Sequence, residues 1–265
     1  MTSLTLRTFG KRLLPPRVKR ALRSFVFRML DLHWRLPSKL EIRIKSVSDW
    51  FIYNEVFVSG DYDPAILMAL ERAKAEGELQ VLDLGANVGF FSLRCVDLAR
   101  RQQMQGLSLH IIAIEGNPRS YRELQLRLCK DNNVPCFTAI NGLVGIRKGT
   151  AAISDLEFSG KNHVRVDRPQ KYFMVDYVDV EQVLGKGKIG LLKCDIEGAE
   201  LVFLQNYPQL LQRTDVAVLE LHPQDCDEKE CISLLRAAGL TIQTVLIQKP
   251  PLTNVMMAVR SSEAV

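Results

Sequence analysis

From residue 79 onward, short apolar runs rich in β-formers alternate with longer runs of helical periodicity. That alternation restricts the chain to βαβ units around a parallel sheet, an α/β fold. The runs read as strands are Leu79–Leu84, Leu109–Glu115, Phe137–Asn141, Ile189–Asp195, Val216–Leu221, Thr241–Ile247 and Val255–Val259. Helical patterns at 89–104, 119–132, 180–184, 199–207 and 228–238 fill most of the gaps, the last closing on Gly239, a residue suited to a helix C-cap. Only the turn-rich segment from Lys249 to Asn254 separates the last two strands. It is too short for a crossover helix, so that pair is expected to run antiparallel. Pro64–Ala75 predicts a helix leading into the first sheet strand, and the mixed pattern between Leu143 and Tyr177 predicts short strands or a flap.

Length and charge divide the chain unevenly. At 265 residues, one large domain with an extension fits better than two full domains. Residues 1–45 hold twelve Lys or Arg against two acids, a net of +10 within an overall +5, which leaves −5 for the rest. After Pro15-Pro16, Val18, Leu22, Phe25, Met29 and Leu30 recur at helical spacing, so residues 1–45 read as a basic, helical, amphipathic extension. Such a helix suits docking on its own domain, an anionic membrane surface or another partner. No run reaches the ~18 to 20 uncharged apolar residues of a transmembrane helix. Charges interrupt the N-terminal apolar residues too often for a signal peptide, so a cytoplasmic location is expected, with peripheral contact at the inner membrane face as an option. The six cysteines form no CxxC pair and give no zinc signal.

Four strand ends carry the chemistry. Asp83 closes the first strand and opens Asp83-Leu84-Gly85-Ala86-Asn87-Val88-Gly89, a tight turn into a helix whose free amides suit a ligand. Asn87 is the non-glycine residue that best tolerates a left-handed backbone. The loop lacks the GxGxxG of dinucleotide sites, and a carboxylate before it would repel a pyrophosphate but suit an amine-bearing ligand, which disfavours a nicotinamide oxidoreductase. Glu115 closes the next strand, where a carboxylate can accept from both ribose hydroxyls. The run Lys193-Cys194-Asp195-Ile196-Glu197-Gly198-Ala199-Glu200 packs a lysine and three acids at the fourth strand's carboxyl edge, where open α/β sheets bind ligands. Glu220 and His222 end the fifth strand, and the titration range of His222 suits a general base.

Taken together, Asp83–Leu93, Ile112–Pro118 and Leu191–Leu204 resemble the FkbM family of S-adenosylmethionine-dependent methyltransferases, the K-x-D-x-E-G-x-E run being the most specific part. The likeness covers roughly residues 46–222 and, more loosely, the last two strands, so 46–265 is expected to be the methyltransferase domain. It implies a Rossmann-like seven-stranded sheet ordered 3-2-1-4-5-7-6 with the last strand antiparallel. It also implies methyl transfer by in-line displacement to a hydroxyl oxygen of a sugar, glycolipid or natural product. By matching position it would set Asp83, Gly85, Asn87 and Gly89 around the methionine part of the cofactor, Glu115 at the ribose and Asn141 near the adenine, with Asn117 also among the cofactor-binding residues. Lys193, Asp195, Glu197 and His222 are then the candidate catalytic residues. A divalent ion on Asp195, Glu197 and Glu220 is the competing way to activate the hydroxyl.

Two other functions share the fold. A nucleic-acid methyltransferase could use the basic segment, but acids crowding the cleft would repel phosphates and no N/D-P-P-aromatic motif stands at the fourth strand. A non-catalytic S-adenosylmethionine-binding module would be expected to have lost the Lys193–Glu200 charges. Trp50, Phe51, Tyr53, Phe57 and Tyr62 could stack on an acceptor or belong to the core.

Overall fold

The computed structural model describes residues 32–104, 106–154, 172–249 and 253–261. The expected helix over residues 18–30 lies outside them. Where the expected helical extension overlaps the described chain it is corrected: β1 (Leu32–Arg35) and β2 (Glu41–Ile44) form an antiparallel hairpin. The cause is a period of two, since Leu40, Ile42 and Ile44 are buried while Glu41 and Arg43 between them are only partly covered. These three join the same apolar cluster as the main sheet, so the hairpin is part of the domain core.

Next come α1 (Val47–Tyr53), which runs on through a π-helical turn at Asn54–Ser59, and α2 (Asp63–Ala73). Ser46 caps α1 by accepting from the Asp49 amide. The aromatic residues of this segment divide. Tyr53 and Phe57 stack at 5.2 Å and meet Phe90 edge-on, and Tyr62 packs edge-on against Phe91, whereas Trp50 and Phe51 face solvent.

The sheet follows the expected topology. Its strands are β3 (Glu78–Leu84), β4 (Ser108–Glu115), β5 (Phe137–Asn141), β8 (Ile189–Cys194), β9 (Thr214–Leu221), β10 (Leu240–Lys249) and β11 (Thr253–Arg260). Their spatial order is β5-β4-β3-β8-β9-β11-β10, with β11 antiparallel to both neighbours and the first five mutually parallel. Between β5 and β8, β6 (Thr150–Ser154) and β7 (Tyr172–Asp176) pair as a separate antiparallel hairpin, which fits the expected short strands.

Helices α3 (Phe90–Arg101), α4 (Pro118–Gln125, extended by a π-helical turn to Asp131), α5 (Val180–Leu184), α6 (Glu200–Asn206), α7 (Pro208–Gln212) and α8 (Glu228–Ala237) complete the chain. Strand alternation sends Leu79, Val81, Val216 and Val218 into the cluster under α2 and α3. Leu82, Leu84, Ala217 and Leu219 go to the opposite cluster under α6 and α8. Among the described residues no helix is long and apolar enough to cross a membrane. All six cysteines are free.

Candidate active site

The turn after β3 has the conformation its residues predicted: φ is +69° at Gly85, +49° at Asn87 and +90° at Gly89. No side chain caps the start of α3, so the dipole end of a 12-residue helix faces the loop bare. Gly85 has a further reason to lack a side chain, because a Cβ there would lie 1.7 Å from the Asp195 carbonyl oxygen. The loops after β3 and β8 are thus pressed backbone to backbone.

Asp83 requires a correction. It shares the α3-facing side of β3 with Leu79 and Val81, is 0% exposed, and accepts from Ser92 Oγ at 2.7 Å. Burial raises its pKa against the pull of Lys193. A group so enclosed does not reach the cleft, and Asp83 supports the loop from beneath.

Lys193 is corrected in the same way. Its ammonium donates to Gly85 O at 2.6 Å and Leu84 O at 3.4 Å, and lies 3.2 Å from Asp195 and 3.6 Å from Asp83. Although burial opposes the charge, Asp195, Asp83 and Glu220 together raise its pKa and keep it cationic. With its donors spent on the loop, Lys193 is a positioning residue.

Glu115 stands at the tip of β4, its two oxygens accepting from the backbone amides of Asn87 and Asn117, each at 2.7 Å. It therefore staples two loops, and each oxygen keeps lone-pair capacity for a hydroxyl donor. Burial raises its pKa and the two amides oppose the rise. The Asn117 side chain caps α4 by accepting from the Arg119 and Ser120 amides, so its cap role occupies the group expected at a cofactor. Asn141 donates to Glu115 O and Gly116 O, which binds the tip of β5 to that of β4.

Beyond β8 the chain turns through two left-handed residues, Glu197 at φ +53° and Gly198 at +96°. A non-glycine residue held there stores strain, which is most often found at functional positions. The turn is held by Glu200, fully buried, whose Oε1 accepts from the Ile196 amide at 3.0 Å and the Gly198 amide at 3.1 Å. His222 Nδ1 lies 3.2 Å from the same oxygen, and its Nε2 faces Glu197 at 3.5 Å. Against the opposing effect of burial, the Glu200 hydrogen bond and charge, then Glu197 and Asp195, push the His222 pKa up to about 9. The imidazole is therefore charged at neutral pH, unlike the free base expected from its ordinary titration range.

Burial, then the Asp195 charge, pushes Glu197 up to about 7. The same two causes, in that order, bring Glu220 to about 7. Glu220 is fixed by Thr253 Oγ1 at 3.0 Å and by Tyr62 Oη at 3.3 Å. Neither contact has a local sequence signal, since Tyr62 and Glu220 are 158 positions apart. The expected metal set of Asp195, Glu197 and Glu220 is not the one brought together. Asp195, Glu200 and His222 each offer a donor atom within 4.8 Å of the others. Two of those donors are already engaged with each other, so we assign no ion to them.

The model of the Methyltransferase FkbM domain matches residues 83–242, the span from the buried aspartate through β8 and β9 into β10. The chain belongs to the FkbM methyltransferase family. It is accordingly an S-adenosylmethionine-dependent methyltransferase, and its sheet has the expected order. No curated protein matches this FkbM chain.

Solved structures resemble it distantly. Magnesium protoporphyrin IX methyltransferase from Synechocystis PCC 6803, with bound S-adenosylhomocysteine, is 14% identical over 77% of this chain and 88% of its own, at a TM-score of 0.41. TrmK from M. capricolum, also with S-adenosylhomocysteine, is 9% identical over 74% and 70%, at 0.42. The METTL16 methyltransferase domain is 13% identical over 97% and 99%, at 0.43. Likeness at that level says nothing about the acceptor of this FkbM chain.

Proposed function

We propose that the chain methylates a hydroxyl oxygen of a neutral acceptor such as a sugar, glycolipid or natural product. The observation that carries this reading is the pair of carboxylates, Glu197 and Glu220, held near neutral proton affinity beside a charged His222 at the carboxyl edge of β8 and β9. A hydroxyl must shed its proton as the new C–O bond forms, and a fixed acceptor with pKa near the working pH suits that task. The many acids at this edge disfavour a phosphate-rich acceptor such as nucleic acid.

S-adenosylmethionine, when bound, supplies an electrophilic methyl group on a sulfonium that departs as a neutral sulfide. The chain's fit to it rests on the uncapped α3 terminus and on the free lone pairs of Glu115 at the neighbouring strand tip. Glu197 takes the hydroxyl proton, and imidazolium His222 stabilises the carboxylate before that transfer. Glu200 positions His222, and Lys193 fixes the loop by holding the Gly85 carbonyl.

Calorimetric titration with S-adenosylmethionine, S-adenosylhomocysteine and NADH, followed by a glycan and glycolipid acceptor screen, tests the reading. Affinity for the adenosyl ligands with turnover on a hydroxyl acceptor is expected, and preference for NADH would end it. Glu115→Ala should weaken S-adenosylmethionine binding by roughly 1.5 to 3 kcal/mol. An unchanged Kd in a folded variant would remove Glu115 from the cofactor site.

Glu197→Gln should lower kcat by about 10² to 10⁴ with little change in cofactor affinity. In the parent, kcat/KM should rise through about pH 7 as Glu197 and Glu220 ionise. It should fall through about pH 9 as His222 loses its charge. Full activity in Glu197→Gln, or a flat profile across that range, would exclude this proton path.

A further inference from the structure

Glu220 carries a hydrogen bond on each oxygen, and the two donors lie far apart in the sequence. Tyr62 Oη, at the start of α2, reaches Oε2 at 3.3 Å. Thr253 Oγ1, on the first residue of β11, reaches Oε1 at 3.0 Å. Packing alone explains neither hydroxyl. The Tyr62 ring lies edge-on to Phe91 at 5.4 Å, a contact phenylalanine would make as well, and valine would suit a buried strand position at 253. Tyr62 is 8% exposed and Thr253 9%, so each hydroxyl bears a desolvation cost that a hydrogen bond must offset.

The two donors are not equivalent. Thr253 Oγ1 also lies 3.2 Å from Leu221 O, so it has one proton for two acceptors. Facing a carboxylate, the hydroxyl turns its proton to Oε1. Once Oε1 is protonated, the carboxyl donates to Oγ1 and the Thr253 proton turns to Leu221 O. Both states are satisfied with the heavy atoms in place. Tyr62 keeps one role: burial, then the charges of Glu220, Asp195 and Glu55, holds its phenol well above the ordinary range, so it remains a donor to Oε2.

The remaining groups that face Glu220 are charged. They are Lys193 from β8, Asp195 at its exit, Glu197 in the turn beyond and His222 past the end of β9. The two acids favour a proton on Glu220, and Lys193 and His222 oppose it.

We propose that Tyr62 and Thr253 are positioning residues that make Glu220 a reversible proton-holding site at the acceptor edge, Tyr62 donating to Oε2 throughout and Thr253 exchanging donor for acceptor at Oε1. Its part in turnover rests on the reading above, in which an acceptor hydroxyl loses its proton at this edge. A proton arriving there meets a carboxylate whose place is the same before and after it binds.

Infrared titration of the full-length protein tests this without an acceptor, since the C=O stretch of a protonated carboxyl reports Glu220 and is assigned by its loss in Glu220→Gln. In the parent that band should disappear through about pH 7. Tyr62→Phe removes a donor that chiefly serves the charged form, so the midpoint should rise by about one pH unit. Thr253→Val also deprives the protonated form of its acceptor, so its midpoint should rise by clearly less. Thr253→Ser should keep the parent's midpoint, and the acid limb of kcat/KM in Tyr62→Phe should move up with the infrared midpoint.

An unmoved midpoint in Tyr62→Phe overturns the proposal. So does a rise in Thr253→Val as large as that in Tyr62→Phe, or a Thr253→Ser variant that titrates like Thr253→Val. Midpoints that move as expected while kcat/KM stays flat across that range support the proton-holding site and remove only the proton path through Glu197. Should Thr253→Val not fold, Thr253→Ala gives the same comparison.

Discussion

Alanine at position 85 should unfold the loop that defines this site, a larger effect than one methyl group produces at an ordinary glycine. Two costs combine there. At φ +69° an L side chain is strained, by roughly 1 to 2 kcal/mol. A Cβ would also lie 1.7 Å from Asp195 O and 2.8 Å from Asp195 C, both backbone atoms that no rotamer change can move. Forcing β8's exit away from β3 would also disturb the Asp195 amide, which donates to Leu84 O at 3.2 Å, and the Lys193 bond to Gly85 O. A loss of about 3 kcal/mol or more is expected, with cofactor affinity reduced beyond measurement. Gly77 supplies the control. Its φ of +75° is nearly the same, yet nothing lies within 4 Å of its would-be Cβ. Gly77→Ala should show the strain alone, so the difference between the two variants in urea melts reports the overlap. Equal losses would mean that the two loops separate freely, and the role given to Gly85 would be wrong.

The contrast between these glycines also shows what the sequence can and cannot disclose. The turn was legible because Gly85, Asn87 and Gly89 each solve a local backbone problem, and local problems leave local signatures. Strand order and the antiparallel end followed from the family likeness and a gap too short for a helix. How deep an acid lies in its strand was not legible. Asp83 and Glu115 are on the same face of the sheet, but Asp83 is level with Ala113 within β3 and lies beneath α3, whereas Glu115 stands two residues further along, at the tip of β4. Lys193 read as chemistry for a similar reason. A lysine among acids suits both a reacting group and a clamp, and only its bonds to the Leu84 and Gly85 carbonyls distinguish them. The hairpin at 32–44 did have a signal, the alternation of Leu40, Ile42 and Ile44. It is short and lies at the end of a basic segment in which the apolar residues otherwise recur at helical spacing. Contacts such as Tyr62 with Glu220 join residues that no local window contains.

Removing the clamp should be nearly as severe as disturbing the glycine. Lys193→Met keeps the length of the side chain and deletes its charge, leaving Asp83 enclosed with only Ser92 to donate to it. Breaking a buried pair by removing one partner costs about 3 to 5 kcal/mol when the orphaned charge stays ionised. Asp83 need not stay ionised, and the pH dependence follows from that. Burial already raises its folded pKa above the unfolded value, and losing Lys193 raises it further. Between those two values the folded state holds more protons than the unfolded one, so stability falls as pH rises. The carboxyl penalty is absent below the unfolded carboxylate range near ~4 and is complete above the raised folded value. The variant should therefore lose most against the parent in alkaline buffer and much less in mildly acidic buffer, in paired urea melts at the two pH values. A deficit independent of pH would mean that Lys193 contributes packing and its carbonyl bonds alone. Asp83→Asn combined with Lys193→Met should recover part of the alkaline loss, since a neutral amide needs no counter-ion, while the Gly85 and Leu84 carbonyls remain without their donor.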